Sequence, residues 1–99
     1  MWYGMDRFDG LTPVIEIELA EPDYSFDILG IWKDSDGAYY LSTDSGCSCP
    51  SPWESHTKDA LTGPLTAEQT QEEATSLWEG SYGGKYDPDA FAEAMRLIV

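Results

Sequence analysis

Asp44-Ser45-Gly46-Cys47-Ser48-Cys49-Pro50-Ser51-Pro52-Trp53-Glu54 is the stretch that divides the chain. The residues before it alternate like sheet, and the residues after it carry the spacing and capping pattern of helices. Both cysteines fall inside it, and His56, the only histidine, comes two residues later. Residues 1–45 therefore read as mostly strand and residues 50–99 as mostly helix, within one domain of 99 residues.

Upstream of this hinge, Val14-Ile15-Glu16-Ile17-Glu18-Leu19-Ala20 is the clearest strand. Ile15, Ile17 and Leu19 share one face, while Glu16 and Glu18 share the other, as expected for an antiparallel sheet with a solvated side. Residues 1–12, with Trp2, Tyr3, Met5 and Phe8, read as a short edge strand or a packed arm. A second strand spans residues 24–33. Phe26, Ile28 and Trp32 alternate with Leu29 and Ile31, so both of its faces are expected to be covered; Gly30 suggests a bulge or a close approach. Asp34-Ser35-Asp36-Gly37 predicts a tight hairpin, because Gly takes the positive φ that such turns need. The third strand is Ala38 to Thr43. An EF-hand reading of the same aspartates fails, with Tyr39 where the invariant Gly belongs.

Downstream, Ser51 at N-cap, Pro52 at N1 and Glu54 at N3 predict a short helix over 52–59. Thr62-Gly63-Pro64 reads as its break. Thr66 to Gln69 repeats the capping pattern. Ala67, Thr70, Ala74, Leu77 and Trp78 then form a helical stripe, with Gly80 as C-cap. Asp87-Pro88 opens the last helix, whose Phe91, Ala94, Met95 and Ile98 line one face. The fold expected is α+β: a small antiparallel sheet of three or four strands with two or three helices packed on one face.

Nineteen acidic residues against five basic ones give a net charge of −14. That field repels nucleic acid and anionic membranes and favours basic partners, cations or simple solubility. No signal peptide pattern and no apolar run of membrane-spanning length is present, so a cytoplasmic protein is expected. In that compartment two cysteines read as thiols or ligands rather than as a structural disulfide.

The hinge supplies the binding candidates: Asp44, Cys47, Cys49, Trp53, Glu54 and His56. Cys47, Cys49 and His56 are the soft ligands available for a zinc ion, and Asp44 could add an oxygen. Structural zinc sites usually separate their cysteines by two to four residues, whereas here the gap is one. Small packing thiols at a tight turn are the plainer reading. A third is a reactive Cys49, two residues before the N-cap Ser51, where the helix dipole would favour a thiolate. His56 is the only general base near neutral pH, with Ser45, Ser48 and Ser51 close in sequence, but no G-x-S-x-G elbow occurs. The expectation is no catalytic residues and no required cofactor. The remaining acids fall in scattered groups. Glu16 and Glu18, about 7 Å apart on one strand face, approach the spacing of phosphates, the basis of a DNA-mimic reading.

The run from Gly30 to Glu54, with W-x-D-x-D-G-x-Y-Y and then T-D-S-G-C-S-C-P-x-P-W-E, resembles a family of small acidic uncharacterised proteins of actinobacterial phages and related bacterial chromosomes. The likeness covers residues 24–58 and is weaker towards both ends. It implies a small accessory protein acting in a bacterial host cytosol, and it carries over no catalytic residue. The expected function is thus a non-enzymatic phage accessory protein that binds a bacterial host protein, with an acidic inhibitor or a DNA mimic as forms of that reading. The rival is a small metal- or thiol-dependent module centred on Cys47, Cys49 and His56. No direct nucleic-acid or membrane binding is expected, and the oligomeric state stays open.

Overall fold

The alternation of the first strand governs the sheet, and one extra residue in that strand gives the sheet two cores. The computed structural model describes residues 8–20, 25–47, 57–81 and 84–98. β1 (Leu11–Glu18) pairs antiparallel with β2 (Ser25–Asp34). Pro13 lies opposite Trp32 and Ile15 opposite Ile31, so Val14 is an added residue. Because side chains alternate with a period of two, one insertion exchanges the faces of everything beyond it. Leu11 accordingly joins Phe8, Ile28, Trp32 and Leu61 in a cluster on one side of the sheet. Ile15 and Ile17, with Leu19 just beyond β1, join Leu29, Ile31 and Leu41 in the cluster beneath the helices. The first strand thus begins earlier than the alternation alone suggested. The opposite side of the sheet is not simply solvated: Phe8 packs edge-on against a fully buried Trp32, with ring centroids 5.2 Å apart. Gly30 is buried in regular register, opposite Glu16 and Ser42, and the bulge lies on the neighbouring strand instead.

β2 turns into β3 (Tyr39–Cys47) through the Asp34–Gly37 hairpin. Gly37 has φ +88°. The Asp34 carboxylate accepts from the N–H groups of Asp36 and Ala38, both at 2.9 Å, so it serves the turn as an Asx cap. β3 runs four residues further than expected, with Cys47 opposite Ser25 and Asp44 opposite Ile28. A ten-residue β2 offers partners for the whole of 39–47, and this nonlocal pairing turns Asp44–Cys47 into strand where the sequence suggested a hinge.

Past a 3-10 turn at Lys58–Ala60, Thr62-Gly63-Pro64 does not simply break a helix. It forms a fourth strand, β4 (Thr62–Leu65), paired with β3. A proline is tolerated there because β4 is the outermost strand of the order β1-β2-β3-β4, where it removes no ladder hydrogen bond. The helix expected over 52–59 falls largely on residues outside those described.

Two helices come next, among the described residues, and both cover the same face of the sheet. α1 (Ala67–Glu79) opens with a full capping box: Gln69 N–H donates to Thr66 Oγ1 (3.1 Å), and Thr66 N–H donates to Gln69 Oε1 (3.0 Å). It buries Thr70, Ala74 and Trp78 over β3 and β4, and the Thr70 hydroxyl donates to the Thr66 carbonyl (2.7 Å). α2 (Pro88–Leu97), capped by Asp87, lies over β1 and buries Ala94, with Ile98 just beyond its end. The fold is α+β: a four-stranded antiparallel sheet with two helices.

Candidate functional site

Asp44 is the one hinge candidate whose side chain is described. It sits on β3 in a row that crosses three strands, Glu18–Ile28–Asp44. Its Oδ1 accepts from the Ser45 N–H at 2.9 Å. The backbone of Cys47 ends the same strand. Cys49, Trp53, Glu54 and His56 lie outside the described residues, as does the N-cap Ser51. Among the described residues, no three His, Cys, Asp or Glu side chains gather where they could hold a metal ion.

The carboxylates distribute over both sides of the sheet. Register places Glu16, Glu18 and Asp44 on the side away from the helices. On the helix side, Glu68, Glu72, Glu73 and Glu79 stand exposed along α1, and Asp87 and Asp89 stand exposed at the start of α2. Asp27, part-buried near the start of the central strand β2, has its carboxyl pushed above the ordinary aspartate range by burial. Glu93 is held below the ordinary glutamate range by its hydrogen bond to Arg96, whose own pKa is raised by the same contact. Three cations are engaged within the fold. Lys33 Nζ lies 5.4 Å from the centre of the Tyr39 ring, Lys85 Nζ lies 3.9 Å from Glu79 Oε2, and Arg96 pairs with Glu93.

α1 is strongly acidic, with Glu68 at the favoured positive end of the helix dipole. It carries four glutamates and no lysine or arginine. Glu68 and Glu72 stand one turn apart with like charge, which costs roughly 0.2–0.5 kcal/mol. Glu79 sits at the negative end of the helix dipole, against the favoured sign. Among the described residues, only Lys85 offsets it.

Between α1 and α2 runs an open groove of about 560 Å³, lined by Gln71, Glu72, Thr75, Ser76, Glu79 and Met95. Gln71 Nε2 closes one end by donating to the carbonyls of Met95 (3.2 Å) and Ile98 (2.8 Å), which are left open by the end of α2. The helices are also tied through Trp78. Its ring stacks on Phe91 at 3.9 Å and 5°, and its Nε1 donates to the Tyr86 carbonyl at 2.6 Å. The Thr75 hydroxyl donates to the Gln71 carbonyl (2.7 Å) and rests 4.0 Å from Met95 Sδ. Sequence reasoning placed Trp78 and Phe91 correctly as packing residues. It missed Gln71, whose partners lie 24 and 27 residues away, and it missed the groove. The only signal was a polar Gln beside an otherwise apolar stripe.

A family model described as a domain of unknown function (DUF7574) matches residues 1–98, and the chain belongs to that family. An uncharacterised family is what the Gly30–Glu54 run led us to expect. No curated protein and no solved structure matches the chain.

Proposed function

We propose that this member of the DUF7574 family is a non-enzymatic accessory protein that binds a bacterial host protein through its acidic surface, in a phage-infected or lysogenic cell. The observation that carries this reading is the acidic exposed face of α1. Glu68, Glu72, Glu73 and Glu79 stand exposed on one well-capped helix that carries no lysine or arginine to balance them. Unfavourable surface electrostatics gain a use when a partner of opposite charge neutralises them, which also speeds encounter. The phage context rests on the Gly30–Glu54 resemblance.

Carboxylates on both sides of the sheet favour a protein with a basic patch over a single DNA-like row. The test is affinity capture from nuclease-treated host lysate at about 150 mM salt, where a Debye length of about 8 Å suppresses diffuse attraction. One stoichiometric host protein, lost when the α1 glutamates are replaced by glutamine, is expected. Capture that is indifferent to those replacements, or no capture from host or infected lysate, sinks the reading.

A further inference from the structure

We infer that the α1–α2 groove is the docking site for a cationic amphipathic helix of the partner protein, seated with its apolar stripe on Met95 and its basic residues on Glu72 and Glu79. This rests on the acidic-surface reading above and narrows it to one place and one kind of ligand.

The groove differs from the rest of the acidic surface in setting Met95 of α2 beside two carboxylates of α1. Glu72, Ser76 and Glu79 succeed one another at i, i+4 and i+7, so they form a single stripe along one side. The two carboxylates are seven residues apart on α1, about 10 Å along its axis. Lysine or arginine residues seven apart on an incoming helix have the same separation. Met95 gives the groove an apolar, conformationally adaptable contact of the kind that helix-binding grooves use. Thr75 is turned inward, its hydroxyl already satisfied by the Gln71 carbonyl, so it presents no polar demand of its own. The Gln71 clamp and the Trp78–Phe91 stack hold the two helices apart at fixed spacing, so the groove exists before the ligand arrives. Lys85, at 3.9 Å from Glu79, occupies one carboxylate loosely from the solvent side, and a partner cation would take its place.

The test uses the full chain, isotope-labelled for NMR. The probe is a synthetic helix of leucine and lysine with a single apolar stripe, titrated at about 150 mM salt. Shifts confined to Gln71, Thr75, Ser76 and the Met95 methyl are expected. Glu72→Gln with Glu79→Gln should weaken binding about three- to tenfold, from two exposed ion pairs. The charge-matched pair Glu68→Gln with Glu73→Gln, outside the groove, should weaken it less than twofold. All four side chains are exposed, so these variants are expected to fold.

Equal losses from both pairs, or shifts spread over the whole acidic surface, would overturn the groove and leave the acidic-surface reading standing. Equal binding of an all-lysine peptide with no apolar stripe would do the same. No binding of either peptide would overturn both.

Discussion

Replacing Gly63 with alanine tests the fourth strand, the element that local sequence reading missed. A Cβ at position 63 would stand 2.5 Å from Tyr40 Cδ2, 2.9 Å from Tyr40 Cγ and 2.7 Å from the Tyr39 carbonyl oxygen. Carbon atoms in contact rest about 3.5–4.0 Å apart, so the ring must retreat by about 1 Å. Tyr40 is part-buried against the cluster of Phe8, Leu11, Ile28, Trp32 and Leu61, which limits that retreat. The Tyr39 carbonyl belongs to the backbone of a central strand and moves less easily. Gly63 also has φ +159°, a backbone angle that residues with a side chain rarely adopt, so the angle adds to the cost of the contact. Overpacking of this kind costs about 1–3 kcal/mol. In a domain of this size the melting temperature falls about 4–8 °C for each kcal/mol. Urea unfolding of the wild type, Gly63→Ala, Tyr40→Ala and the double variant completes a cycle. Removing the ring should recover part of the Gly63→Ala loss, with the carbonyl contact and the backbone angle accounting for the rest. A Gly63→Ala loss under about 0.5 kcal/mol, or one that Tyr40→Ala leaves unchanged, would refute the packing of β4 against β3.

Three further outcomes rest on named residues. Thr66→Ala removes the acceptor of the Gln69 N–H and should cost about 1 kcal/mol by urea denaturation, since the α1 capping box loses its side-chain half. Asp27 has a carboxyl pKa raised by burial, so the folded protein holds that proton to higher pH than the unfolded chain and stability falls as pH rises through the raised value. The advantage of Asp27→Asn over the wild type in urea midpoint should therefore grow from about pH 3 to about pH 7, and a difference flat with pH would contradict it. Protein purified without chelator should melt at the same temperature after EDTA treatment and carry no stoichiometric zinc by elemental analysis; one zinc per chain would shift weight to Cys47, Cys49 and His56.

What was legible in the sequence was local. The α1 capping box is a relation across three residues, and the Asp87 cap and the Asp34–Gly37 turn are as short. The alternation of Ile15, Ile17 and Leu19 needs only a period of two. What was illegible depended on distant partners. Thr62-Gly63-Pro64 holds two strong breakers, yet it becomes strand because β3 offers an edge and Gly63 alone fits under Tyr40. Val14 carries no mark of a bulge; its role appears only when Leu11 and Ile15 are seen on opposite faces. Asp44–Cys47 reads as a turn by composition and is held as strand by Ser25–Ile28. The hinge candidates were chosen by residue type, for thiols and a histidine, and only Asp44 has its side chain within the described residues. The groove is built from ordinary residues whose meaning is geometric.

The net charge and the two cores bear on each other. Each side of the sheet carries a small apolar cluster, and the charged groups above them are predominantly of one sign. Repulsion among like charges disfavours a compact state, and Lys33, Lys85 and Arg96 already have partners within the fold. Added salt screens that repulsion, so stability should rise with ionic strength while a diffuse electrostatic association weakens. A cationic helix in the α1–α2 groove would do locally what salt does globally, placing positive charge beside Glu72 and Glu79 while covering Met95. Binding to the folded chain alone raises its stability by mass action, so ligand and fold would be linked through the same two carboxylates. On this account α1 keeps its like-charged face because the partner, rather than the chain itself, supplies the counter-charge.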